Sequence, residues 1–248
     1  MLAAALDIFS KAGFAYLSRW LHVVVGITWI GLLYYFNFVQ VPAFAEMEAA
    51  ARNNAIDKLA SRALWWFRWA AAATFATGVL ILYFQKNLDD MDYFKTGPGI
   101  AITTGMLLAI TMFFNVWLVI WPNQKVVIAN ARNVQAGGEA DSTAAGKGRK
   151  ALLASRMNAI FSLPMLVFMV GTSHFPISSS GVDVDKRWLY WIIVIVIWAV
   201  LEANALGYIG GTAPGSTNAM YDTHQNALIA GFVLAGIFVL LYSFVLAA

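Results

Sequence analysis

The stretch from Arg19 to Gln40, RWLHVVVGITWIGLLYYFNFVQ, is long and apolar enough to cross a bilayer as a helix, yet it carries a histidine near one end. At helical spacing His22, Gly26, Trp29 and Leu33 share one face, and Gly31 points the opposite way. Arg19 lies one turn before His22 on the same stripe. An imidazole, a glycine that lets a flat ring lie close and a cation one turn outward suit a haem with its propionates at the surface. The same residues also suit a plainer use, in which His22 bonds a neighbouring helix and Gly26 permits tight packing. The rest of the chain has to supply a partner before the first reading gains ground.

Of the 248 residues, 60% are hydrophobic and 12% charged, against roughly 45–50% and about 25% in soluble domains. The composition is that of a polytopic membrane protein in contact with lipid. It predicts an all-α bundle, because open strands leave backbone groups unsatisfied in hydrocarbon. The absence of cysteine excludes disulfides, iron–sulfur clusters, zinc ribbons and CxxCH haem attachment. Any redox cofactor must then be held by His, Met or carboxylate. A net charge of +3, scattered along loops, gives no basis for nucleic-acid binding. Met1 to Gly13 lacks a separate apolar core of the signal-peptide kind, so the first span is expected to stay as an anchor.

Hydropathy predicts about six spans in a single transmembrane domain over 1–248: Trp20–Val39, Trp69–Phe84, Ile100–Trp121, Met157–Phe175, Trp188–Tyr208 and Ala227–Leu246. An even number puts both termini on one side. Six Lys and Arg fall on that side and ten on the other, which predicts termini facing the periplasm of a bacterial inner membrane. Pro42 to Arg62 reads as a helix lying along the membrane surface. Trp65, Trp66 and Trp69 around Arg68 read as an interfacial belt with a snorkelling cation. Residues 122–150 read as a short helix followed by a flexible cytoplasmic-side loop at AGGEADSTAAGKG.

Following the spans alternately puts His174, at the end of the fourth, at the same depth as His22. Gly171 shares its face one turn back. Two His-with-glycine stripes at matching depth are what a bis-histidine haem b between two helices requires, with Arg19 and Arg187 at the propionates. A helix-end histidine bonded to carbonyls or water is the alternative for His174. Towards the other side gather Glu202, Arg156, His224, Asn37, Gln40, Asn115, Asn158, Asn204 and Asn226. They make either a polar pocket for substrate, quinone or protons, with Glu202 paired to Arg156 or His224, or a set of separate interhelical bonds and a cap. Pro164 should kink the fourth span and free a carbonyl.

The stretches HVVVGITWIGLLYYFNFVQVPAF (22–44), NVWLVIWPNQKVV (115–127) and RMNAIFSLPMLVFMVGTSH (156–174) resemble the membrane domain of the bacterial membrane-bound urate hydroxylase family, the urate oxidase N-terminal domain. The first is also loosely similar to protoporphyrinogen-oxidase-like families. Those pair their first-helix histidine with a lysine of the third span, and this third span has none. The resemblance implies an inner-membrane redox protein linked to urate oxidation. Full-length members end in a cytochrome c; with no CxxCH here, the resemblance implies a stand-alone domain with a separate cytochrome c or quinone as electron partner. Two other classes remain: a transporter or channel without a cofactor, and a structural or assembly subunit of a larger respiratory complex or homo-oligomer.

Overall fold

A computed structural model describes residues 7–85, 90–174 and 183–246; for Asp7 and Val184 it describes the backbone alone. Among these residues there are helices and connecting turns and no strand. Helix α1 (Lys11–Tyr34) starts behind the Ser10 cap, whose hydroxyl accepts from the Gly13 amide at 3.0 Å. It runs through a widened π turn, Tyr35–Gln40, into α2 (Val41–Glu46). Met47 and Glu48 are extended and reverse the chain, and α3 (Ala49–Ala55) continues through a second π turn, Ile56–Ala60, into α4 (Ser61–Phe84). The return span is α5 (Gly97–Phe114), a third π turn at Asn115–Ile120, and α6 (Trp121–Gln135). Then follow α7 (Ala144–His174), α8 (Arg187–Ala205), the single turn α9 (Ala219–Asp222) and α10 (His224–Val245).

Six helices are long and apolar enough to cross a membrane: Lys11–Glu46, Ala49–Phe84, Gly97–Gln135, Ala144–His174, Arg187–Ala205 and His224–Val245. They fit a multi-pass membrane protein. The first three are far longer than expected. A helix of 36 residues reaches about 54 Å at 1.5 Å per residue, well beyond a hydrocarbon core of about 30 Å. Pro42 to Arg62 is therefore the tip of a helical hairpin rather than a separate helix lying flat. Within residues 122–150 the expected helix holds to Gln135, and helix resumes at Ala144, earlier than expected, leaving 136–143 as the irregular part. That part is tied down by Asn130, which accepts the Asp141 amide at 2.7 Å, and by Asn133, which donates to the Glu139 carbonyl.

Two of the π turns have a sequence cause. Pro42 and Pro122 stand in the first turn of α2 and α6, directly after them. A proline ring has no N–H and collides with the carbonyl four residues back, and widening the preceding turn accommodates both defects. Pro164 is handled differently, because α7 runs through it. It frees the carbonyl of Ile160, and α10 comes in against that carbonyl: a Cβ on Gly231 would stand 3.1 Å from Ile160 O. Only a glycine lets the two helices approach so closely there.

Helix α7 is the axis of the bundle. Met157, Ile160, Phe161, Met165 and Phe168 are buried, and α5, α6 and α10 pack on it. The hairpin of α1 and α4 packs along its own length and joins the rest through α3 and α4 on α5 and α6, and through α1 on α7. Outward faces such as Val23 and Ile27 on α1, Val196 and Val200 on α8, and Phe232 and Val233 on α10 are exposed and apolar, as lipid-facing surfaces are. Trp65, Trp66 and Trp69 are exposed as a belt requires, but the Arg68 guanidinium lies 3.7 Å over the Trp121 ring instead of reaching outward.

Candidate functional site

The inward stripe of α1 is the expected one: Trp29 and Leu33 are buried, and Gly31 is exposed. His22 is half-buried and turned to α4. Its Nδ1 is 2.9 Å from the main-chain oxygen of Thr74 and 3.1 Å from Thr77 Oγ1. The Thr77 hydroxyl already donates to the Ala73 carbonyl at 2.7 Å, and Thr74 O can only accept. Nδ1 must then carry the ring hydrogen, and the Nε2 of a neutral ring keeps its lone pair. Opposite the ring is Gly78, where a Cβ would stand 3.3 Å from His22 Cε1. Gly26 faces Thr74, with a Cβ placed 4.0 Å from its methyl, so the geometry at Gly26 is that of helix packing. Arg19 is exposed one turn beyond His22.

His174 ends α7 as an exposed residue with no hydrogen bond among the described residues, and Gly171 one turn back is buried. A hydrogen bond of 2.8 Å between Tyr34 and Ser162 sets the register of α1 on α7. Both histidines lie twelve residues along their helices from that bond, about 18 Å at 1.5 Å per residue. Equal rise from that bond puts both towards the end where α1 begins and α7 ends, and no hydrogen bond joins them. Arg187 opens α8 at the same end and donates to the Lys95 carbonyl at 3.4 Å.

The polar residues towards the other end separate into groups. Asn115, in the third π turn, donates to Asn158 Oδ1 at 3.0 Å and to Glu202 Oε2 at 3.3 Å, while Asn158 donates to the Met112 carbonyl at 3.0 Å. This links α5, α7 and α8. Asn37 donates to Ser155 at 2.8 Å, Asn204 holds the Ile209 carbonyl, and the Asn226 side chain binds the Ala219 carbonyl beside the Thr223 cap of α10. Among the described residues no ion pair joins Glu202 to Arg156 or to His224; its partner is Asn115. Arg156 is buried, and its Nε and Nη1 have no hydrogen-bond partner among the described residues. His224 is half-buried at the start of α10, its ring 6.2 Å from that of Phe38. Tyr221, buried on α9, donates to the Leu201 carbonyl at 3.2 Å.

A cavity of about 190 Å³ opens where the first four spans meet, with Gln40, Gln124 and Ser155 on its walls. Glu202, Arg156 and His224 do not line it. Sequence reading missed this arrangement, and it missed Thr74, Thr77 and Gly78 as neighbours of His22. The run TFATG at 74–78, three small polar or glycine positions in an apolar span, was the available signal. Among the described residues no group of three or more His, Asp or Glu is placed to hold a metal ion.

No curated protein and no solved structure matches the chain. A family model does. The matched segment runs from the turn before α5 to the last residue of α8; it includes Asn115, Arg156, Asn158, His174 and Glu202 and leaves out His22 and His224. Over residues 90–205 the chain matches the urate oxidase N-terminal family, the one its motifs resemble.

Proposed function

We propose that this protein is a membrane electron-transfer protein of the urate hydroxylase type that holds haem b between His22 and His174, close to the outer face of a bacterial inner membrane. The observation that carries this reading is the His22–Thr74 hydrogen bond. Histidines that ligate a metal commonly donate their other N–H to a carbonyl, which fixes the ring and leaves one nitrogen as ligand. His174, at the same end of the bundle and without a hydrogen bond among the described residues, supplies the second imidazole. Arg19 and Arg187 stand at that end for the propionates, as cations outside the apolar region. A bound haem b passes one electron at a time, here to a cytochrome c or quinone partner.

The residues of the chain support the other half of the process. Glu202, held by Asn115, is a carboxylate placed between helices where protons are taken up or released, with Arg156 and His224 nearer the loop end. In the full proposal the chain contributes to urate oxidation and faces the periplasm with both termini. Reduced-minus-oxidised spectroscopy of the purified protein tests the haem, and urate-dependent reduction with a cytochrome c acceptor tests the substrate. A protein without a b-type band in its native membrane returns the assignment to a transporter or an assembly subunit.

A further inference from the structure

Trp121, the first residue of α6, holds two cations on one ring. The Arg68 guanidinium lies 3.7 Å from the ring centre and the Lys125 ammonium 5.8 Å. Like charges gathered on one indole repel each other. Among the described residues neither has an ion pair or a hydrogen bond to offset that. Arg68 Nη1 is buried without an acceptor, and so is the indole Nε1 of Trp117, one turn before Trp121. Trp117 in turn meets Trp69 edge to face, with ring centres 5.4 Å apart. The unmet groups here are all donors, so what completes the cluster brings acceptors and negative charge.

The level of the cluster says where that charge comes from. Arg68 stands directly before the uncharged run 69–84, and Trp121 closes the uncharged run 100–121. Their contact therefore lies where two spans leave the hydrocarbon, which is the level of lipid headgroups. About two turns further into the spans, Phe75 of α4 and Phe113 of α5 stack with ring centres 5.0 Å apart. Phe75, Phe114 and Leu118 are exposed there. Cations at the rim of an exposed apolar surface complement an amphiphile, whereas a free anion gains nothing from the apolar part.

We infer that the face formed by α4, α5 and α6 binds an anionic phospholipid from the leaflet on the side of the hairpin tips. Arg68 and Lys125 hold its phosphate, and an acyl chain lies along Phe75 and Phe114. Stacking on Trp121 keeps the guanidinium flat, so that its edge presents N–H groups to the phosphate, and the lysine adds a point charge. The haem reading plays no part in this site.

Arg62 supplies a control on the same helix: it is exposed, and its guanidinium donates to the Lys58 carbonyl. The purified chain in a nonionic detergent is titrated with phosphatidylglycerol, with phosphatidylcholine of the same acyl chains and with glycerol phosphate. Native mass spectrometry counts the molecules bound. One phosphatidylglycerol is expected to bind saturably, at least about fivefold tighter than phosphatidylcholine. Arg68→Gln and Lys125→Gln should each weaken it about fivefold, the share of one cation near a charged leaflet. Arg62→Gln should leave it unchanged. Should Arg68→Gln lose native helicity by circular dichroism, the exposed Lys125 decides alone. Equal affinity for the two lipids or displacement of the lipid by glycerol phosphate at similar concentration overturns the inference. So does unchanged affinity in Lys125→Gln, or an equal loss in Arg62→Gln.

Discussion

His22 Nδ1 donates to the main-chain oxygen of Thr74 across 2.9 Å, joining the first span to the second. A carbonyl cannot be removed by substitution, so this bond persists whatever side chain stands at 74. It commits the ring to one tautomer. Nitrogen NMR of histidine-labelled, cofactor-free protein should find His22 protonated at Nδ1 while the ring is neutral; protonation at Nε2 contradicts the geometry.

Thr77 and Gly78 shape the place where that ring rests. Thr77→Val removes the weaker of the two acceptors and leaves the carbonyl, so thermal unfolding should shift by less than about 1 kcal/mol. Gly78→Val is different. Its Cβ alone would stand 3.3 Å from His22 Cε1 and the added methyls closer still, so the ring must move. The cost of such overpacking is about 1–3 kcal/mol, and the His22 nitrogen shifts should change with it.

The contact between α7 and α10 rests on one glycine. Gly231→Ala places a methyl 3.1 Å from Ile160 O, a backbone atom that cannot step aside, and about 1–3 kcal/mol of destabilisation is expected. Gly236, on the same helix, has nothing within 4 Å of a built Cβ. Gly236→Ala should therefore be neutral or slightly stabilising, since alanine is the better helix former by about 1 kcal/mol. Melting of the two variants side by side separates packing from propensity.

Glu202 and Asn115 form an asymmetric pair. Glu202→Gln keeps an oxygen to accept from Asn115, and the fold should lose less than about 1 kcal/mol. Asn115→Ala strips the partly buried carboxylate of its donor and also leaves Asn158 Oδ1 without one, for about 1–3 kcal/mol. Equal effects of the two changes would show that the link across α5, α7 and α8 does not hold as described.

Asp141 gives a pH-dependent contact outside the spans. Its carboxylate accepts the backbone amide and hydroxyl of Thr143, both at 2.8 Å, and these bonds hold its pKa below the ordinary carboxylate value. A lowered folded-state pKa means that the contact is fully present above the unfolded value and is lost as pH falls through the folded one. Hydrogen exchange at the Thr143 amide should accelerate on acidification below the usual carboxylate range. Asp141→Asn should abolish that dependence.

The six spans were legible because the hydrocarbon core imposes a length and a polarity that no tertiary contact can disguise. The helical tips beyond the membrane were not, since Pro42 and Pro122 look like breaks when in fact a π turn before each carries the helix on. The stripe through His22, Trp29 and Leu33 follows from a period of 3.6 residues, and it appears as read. Which helix it meets does not follow from periodicity: the hairpin pairs α1 with α4, and so His22 found Thr74. The polar residues near the loop end shared a depth on paper, but depth leaves direction open. Asn115 turns to Glu202, Asn37 to Ser155 and Asn204 to the Ile209 carbonyl, which is the arrangement of separate bonds, one of the two that the sequence left open. The cavity formed beside them, at Gln40.

The most direct measurement of the central claim is the reduced-minus-oxidised spectrum of the purified chain and of its His22→Ala and His174→Ala variants, each checked for native helicity. A b-type haem band is expected in the wild type, lost or strongly weakened in both variants. A folded wild-type protein without the band, or a band that survives both substitutions together, contradicts that claim.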